Sequence, residues 1–311
     1  MPAYQVEKSI DIASSPQQVF QVVSDFRTWT TWSPWLIAEP ETQVTFSENS
    51  SSIGSVYAWN GKITGQGELE HKSLDPGKAI HDEIRFVKPF KSVAKVSFLL
   101  ETAKAGTRLT WTMDGHMPWF MFWMIPMMKT FIGMDYRRGL TMLKDLIESG
   151  SIPSKCAIHG IQPVNAVRMA GIVSSSSVED VGKSMNDAFA KAKAEFTRLG
   201  LPLDGQGISA YTKFRVREGI FEYISGYEIP QSLELKDTGE LKVWSFPGGK
   251  AFRVEHTGCY RHLGNAWSAA NQIVRYQKLK QLGCATFEIY RTKPGVGAEE
   301  SAITDIYLPL K

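Results

Sequence analysis

Apolar and polar positions alternate with period two through most of the first half of the chain, which predicts strands. Tyr4–Ala13 is one such run, with Val6, Ile10 and Ile12 as its apolar positions. Ser14-Ser15-Pro16 follows as an N-cap with proline in the first turn, and it opens a helix carrying Val19, Phe20, Val22 and Val23. An aromatic-rich loop comes next, from Asp25 to Trp35. Beyond it are six short runs broken by glycine or Asp-Pro-Gly: Val44–Ser47, Gly54–Trp59, Gly67–Ser73, Ala79–Phe86, Val93–Glu101 and Thr107–Met113. That spacing predicts a curved antiparallel sheet. Phe131–Glu148 then changes to helical spacing, with Met134, Leu140, Leu143 and Ile147 on one face. A bent sheet closed by a long final helix should leave a deep apolar cavity between the two.

Glu148–Ser154 is a Ser/Gly/Pro punctuation that divides the chain into residues 1–149, a linker 150–157, and residues 158–311. After it the pattern repeats. Strand Val164–Val173, helix Val181–Leu199 and strands Gly207–Val216 and Gly219–Ile229 form one unit. A strand or strand pair Leu241–His256, helix Tyr260–Gln281 and strands Ala285–Arg291 and Ser301–Leu310 form the second. Strand–helix–strand–strand thus occurs twice, and the chain as a whole is α+β with antiparallel sheets. Aligning the units places Ile208-Ser209-Ala210-Tyr211 on Phe287-Glu288-Ile289-Tyr290. Tyr211 mirrors Tyr290, and Ser209 mirrors Glu288. In Phe287–Tyr290 the apolar face belongs to Phe287 and Ile289, which leaves Glu288 and Tyr290 together on the other. Pairing the two units should set helices on one side of a sheet and a two-fold cleft on the other. One acid among aromatics there suits a cationic aromatic or a lipophilic ligand.

Charge and composition narrow the options. With 35 Lys+Arg against 32 Asp+Glu the net charge is +3, too small to argue for nucleic acid, and no basic cluster stands out. Three widely spaced cysteines (Cys156, Cys259, Cys284) and a start without a basic-then-apolar leader lead us to expect a cytoplasmic protein. His71, His81 and His116 are not at metal-ligand spacing, so neither a metal nor another cofactor is expected. Glu68 and Glu70 share one face of a strand, read as solvated rather than inward. The charge-free stretch Met117–Met128 holds two prolines and is too short to span a bilayer. Three readings of it stay open: an adaptable Met-rich flap over apolar ligands, core beneath the final helix, or peripheral membrane contact.

Two family resemblances attach to these residues. Ile10–Pro16, Val19-Phe20, Asp25, Trp29, Trp32–Trp35, Gly54, Tyr57–Trp59, Gly106–Trp111 and Asp135-Tyr136 with Gly139-Leu140 resemble SRPBCC (polyketide cyclase/START-like) domains. That resemblance implies the helix-grip fold and a pocket for an apolar ligand. In the second half, Phe246–Lys250, His256–Tyr260, Leu263-Gly264, Trp267, Phe287–Tyr290, Pro294 and Asp305–Leu310 resemble the GyrI-like (AraC-type) effector-binding domain. There the Glu of Phe-Glu-Ile-Tyr contacts the ligand in multidrug-responsive regulators. The resemblance implies Glu288 as the pocket acid, with Tyr290, Tyr211, Tyr260 and Trp267 as companions; Trp267 reads equally as core. Such regulators carry a DNA-binding domain, which the first half of this chain does not resemble, so direct nucleic-acid binding is not expected. The sequence identifies no regulator partner. Two activities stay open: a binder that senses or sequesters a lipophilic compound, and a hydrolase of the GyrI-like cyclopropane-opening type using Glu288 with a pocket tyrosine.

Overall fold

The computed structural model describes residues 1–235, 238–292 and 298–311, so Pro294 lies outside the described residues. The chain forms two compact units, Met1–Pro153 and Ser154–Lys311.

The first unit runs β1 (Ala3–Ile12), α1 (Pro16–Ser24), α2 (Trp29–Trp32), β2 (Gln43–Phe46), β3 (Val56–Asn60), β4 (Gln66–Asp75), β5 (Ala79–Lys88), β6 (Ser92–Ala103), β7 (Gly106–His116) and α3 (Ile125–Ser149). Its seven strands pair antiparallel in the order β1-β7-β6-β5-β4-β3-β2. Ser15 caps α1 by accepting from the Gln18 amide at 3.3 Å, with Pro16 at the helix start. Gly150 ends α3 in the left-handed region at φ 75°, where its N–H bonds to Leu146 O.

The space expected to be a deep cavity is occupied, where α1, α2 and α3 meet the sheet, by aromatic rings. Trp111 stacks between Tyr136 at 3.8 Å and Phe98 at 4.9 Å, and Trp29, Trp32 and Trp35 meet its edges. The aromatic-rich loop is therefore core, and α2 lies inside it. Gly139 lets this packing close, because a Cβ there would lie 3.0 Å from Trp111 and 3.2 Å from Pro34. Trp35 and Arg138 both bond Asp135, and Arg138 also reaches Pro34 O, latching the loop to α3.

The acids sort as alternation dictates. Leu69 and His71 are buried, while Glu68 and Glu70 face outward and pair with Arg85 at 2.7 Å each. His71 is a satisfied core residue: its ring nitrogens lie 2.6 Å from Asp82 Oδ1 and 2.9 Å from Ser24 O, and it stacks on Phe26. Among the described residues no group of three or more His, Cys, Asp or Glu is placed to hold a metal ion.

Glu39 has no counterpart in the sequence reading. Its buried carboxylate accepts from the amides of Lys62, Ile63 and Thr64 at 2.7, 2.8 and 3.0 Å, and from the Thr64 hydroxyl. Burial pushes this carboxyl up, but the four bonds outweigh it and hold it below the ordinary range. Glu39→Gln, which sets an NH₂ against backbone donors, should cost about 1–3 kcal/mol at neutral pH in urea denaturation. Because the folded carboxyl titrates low, its contribution is present above the ordinary pKa of 4.5 and fades as acid protonates it.

The second unit runs β8 (Ser154–Val164), β9 (Val167–Ser177), α4 (Val181–Arg198), β10 (Gly207–Arg215), β11 (Ile220–Glu228), β12 (Lys242–Phe246), β13 (Gly249–Gly258), α5 (Leu263–Tyr276), β14 (Thr286–Tyr290) and β15 (Ile303–Leu310). A 3₁₀ turn, Tyr260–His262, leads into α5, so the expected helix from Tyr260 to Gln281 is shorter at both ends. The expected linker also overran, since its residues 154–157 begin β8 and pair with β13.

Each repeat is therefore strand–strand–helix–strand–strand. The sheet order β12-β9-β11-β10-β14-β15-β13-β8 reads the same from either end once the repeats are exchanged. Each repeat lends its first strand to the other, β12 to β9 and β8 to β13. At the centre, β10 and β14 pair with Ser209 directly opposite Glu288, so the pseudo-two-fold passes through these two residues.

Candidate functional site

Cross-strand register fixes which side chains share a face. Ser209 lies opposite Ser225 and Glu288, and Tyr211 lies opposite Tyr223 and Thr286. This row continues through Ala170 and Ile172 of β9, which pack on Ala188, Ala192 and Phe196 of α4. The face bearing Glu288 is thus the helix-covered face, and the polar cluster sits between α4 and α5. The expected placement, helices on one side and cleft on the other, is corrected here. The opposite face is needed for core: Ile208, Ala210, Phe287 and Ile289 pack there with Phe246, Tyr307 and Trp244.

Glu288 is fully buried. Its Oε2 accepts from the indole N–H of Trp267, from α5, at 2.7 Å. Its Oε1 accepts from the hydroxyl of Tyr290 and, at 3.3 Å, from that of Tyr211. Two ring pairs flank the carboxyl: Tyr211 meets Trp267 edge-on at 4.9 Å, and Tyr260 meets Tyr290 at 5.7 Å. All five side chains singled out in the sequence therefore come together, two from aligned strand positions and two from the start of the second helical segment. Trp267 is half-buried and turned to the carboxyl, not absorbed into core.

Two contributors were not singled out, and Ser209, aligned with Glu288 by the duplication, joins them. Met185 of α4 sets its sulfur 3.7 Å from the Tyr290 hydroxyl and 3.9 Å from that of Tyr211. Phe189, one helical turn on, meets Tyr290 at 5.4 Å. Ser209 bonds Ser225 at 2.7 Å and lies 3.5 Å from the Tyr290 hydroxyl, which extends the polar row across the two-fold. Met185 and Phe189 were legible only as an apolar helix face; helical spacing cannot tell a residue covering core from one covering a site.

Burial drives the electrostatics. It pushes the Glu288 carboxyl up to about 7, against the opposing pull of the bonds from Tyr290, Trp267 and Tyr211. Burial, and then the Glu288 charge, push the Tyr211 and Tyr290 phenols well above 10, so both remain O–H donors. Among the described residues the carboxyl's partners are neutral donors, with no cation among them.

Comparison with known proteins places both halves. Residues 3–148 match the family described as polyketide cyclase / dehydrase and lipid transport, and residues 161–311 match the GyrI-like small molecule binding domain. The chain joins a polyketide-cyclase-type (SRPBCC) domain to a GyrI-like domain, and both are small-molecule-binding domain types. No curated protein matches it. Among solved structures, protein CV1439 of Chromobacterium violaceum is similar at 17% identity and TM-score 0.36, over 46% of this chain and 97% of its own. The Aha1 dimer of Colwellia psychrerythraea is similar at 19% and 0.35, over 47% and 98%. A chain of the EcmrR–DNA complex is similar at 14% and 0.41, over 58% and 66%.

Proposed function

We propose that the GyrI-like domain binds a lipophilic small molecule with a cationic end, which Glu288 anchors between Tyr211, Tyr260, Tyr290 and Trp267. One observation carries this reading: a fully buried carboxyl whose described partners are three neutral donors. Such a group holds its charge poorly by itself, and an incoming cation restores the ionised form in a dry site. The surrounding rings offer π-faces to the same cation. Partly exposed Tyr211, Tyr260 and Trp267 form the approach, and the Met185 sulfur lies against the Tyr211 and Tyr290 hydroxyls on the α4 side.

The probes are an alkyltriphenylphosphonium cation and neutral triphenylphosphine oxide of similar shape. At pH 8, Glu288→Gln should weaken the cation by at least about tenfold, the scale of a hydrogen bond or contact to a charged group, and leave the neutral probe nearly unchanged. Equal losses for both probes would show that shape, and not charge, selects the ligand.

A second reading has its own observation. A carboxyl near 7, held by the Tyr290 hydroxyl, can take and return a proton at neutral pH, as a hydrolase opening a strained electrophilic ring requires. Here Glu288 would activate water while a phenol orients the ring. Turnover of an activated cyclopropane by the wild type, lost in a Glu288→Gln variant that still binds it, would favour hydrolysis over simple binding.

A further inference from the structure

The stretch Met117–Met128 is not core beneath α3. Its central six residues, Trp119–Met124, form a 3₁₀ turn with no buried member. Trp119 is 75% exposed, Phe120 and Phe122 60% each, and Trp123 55%. Apolar side chains of that size at that exposure, consecutive in the chain, are unusual for a surface that meets only water.

This turn has neighbours at one end of the sheet. Strand β7 delivers it directly, with Met117 N bonded to Pro2 O, and the β5–β6 connection lies alongside, since Ala94 pairs with Gly115. That connection carries Phe90, 76% exposed, at its tip. The β3–β4 loop completes the rim, because Gly65 abuts Lys88 closely enough that a Cβ would lie 2.6 Å from its carbonyl oxygen.

The exposed charges of the turn and of the β5–β6 connection have one sign, while the β3–β4 loop also holds the buried Glu39 carboxylate on its amides and has exposed Glu41 nearby, ahead of β2. Lys62, Lys88, Lys91 and Lys129 are exposed, and no Asp or Glu occurs in residues 60–67, 86–100 or 115–134. Tryptophan and phenylalanine projecting among lysines match the boundary of an anionic bilayer, where rings enter the headgroup layer and ammonium groups stay with phosphates. No helix among the described residues is long and apolar enough to cross a membrane.

We infer that this rim of the first unit docks on an anionic phospholipid surface, with Trp119, Phe120, Phe122, Trp123 and Phe90 entering the interface and the lysines contacting phosphate. The inference is independent of the ligand proposed for Glu288.

The test is vesicle flotation of the full chain with phosphatidylcholine alone and with phosphatidylcholine mixed with phosphatidylglycerol. Binding should favour the anionic vesicles and weaken with salt. Trp119→Ser with Trp123→Ser should reduce it at least about tenfold, the scale of removing buried apolar side chains. Lys91→Gln and Lys129→Gln should each reduce it roughly fivefold, on anionic vesicles only. All four positions are exposed, so unchanged urea midpoints would verify that the variants fold. Three outcomes would overturn the inference: no flotation on either vesicle, flotation indifferent to the tryptophan substitutions, or a doubled solution mass that those substitutions abolish without any flotation. The last would identify the rim as a contact between copies of this chain.

Discussion

Glu288→Gln should abolish a loss of about 3 kcal/mol in the stability of the second unit that the wild type shows between pH 4.5 and pH 8, whatever constant offset its NH₂ brings against the Trp267 and tyrosine donors. The folded carboxyl titrates at about 7, against an ordinary value of 4.5 in the unfolded chain. Below 4.5 both states are protonated and the site contributes no pH dependence. Between 4.5 and 7 the folded state keeps a proton that the unfolded state has released, so stability falls as pH rises. Above 7 the loss is complete, and about 1.4 kcal/mol per pH unit over that interval gives the figure stated. Glutamine has the same shape and no proton to lose, so its stability should be flat across this window. Urea midpoints at a series of pH values from 5 to 8 check this. Parallel curves for both proteins would mean that Glu288 does not carry the elevated pKa.

The other large effect lies in the first unit. Trp111→Ala should cost it about 3–5 kcal/mol, the range for emptying a large aromatic site in a core that collapses only partly. Five aromatic rings lean on Trp111, and Gly139 of α3 is shaped to it, so the vacated volume has no ready filler. Trp111→Phe should cost much less. It keeps a ring between Phe98 and Tyr136 and removes an indole N–H that is buried without an acceptor among the described residues. Because the chain folds as two units, the Trp111 and Glu288 substitutions should shift different unfolding transitions. A single shared shift would show that the units unfold as one.

Much of this architecture was legible from alternation and punctuation. The strands of the first sheet, the long helix and the duplication all carry strong periodic signals, and the duplication alone placed Tyr211 on Tyr290 and Ser209 on Glu288. Strand β8 carried no such signal. It is an edge strand, with Ile158 and Ile161 exposed and a register shift opposite Arg253, so no buried stripe marks it. Without β8 the exchange of first strands between repeats could not be foreseen. The side of the sheet that bears the site was misjudged for a related reason. Alternation sorts Glu288 from Phe287 but does not say which face the helices cover, a choice made by Ala170 and Ile172 on a different strand. The aromatic cluster around Trp111 was hidden because Trp29 and Trp32 lie in what reads as a loop. The exposed Trp119–Met124 turn is the converse case, apolar in composition and yet outside.

The most direct test of Glu288 as an ionisable anchor is the proton count on binding the phosphonium cation, by titration calorimetry in two buffers of different ionisation enthalpy. At pH 7 the wild type should release about half a proton per cation bound, falling toward none by pH 9, where the carboxyl is already ionised. Glu288→Gln should release none at any pH and bind the cation more weakly. Equal affinity in the two proteins, with no proton released at pH 7, would contradict it.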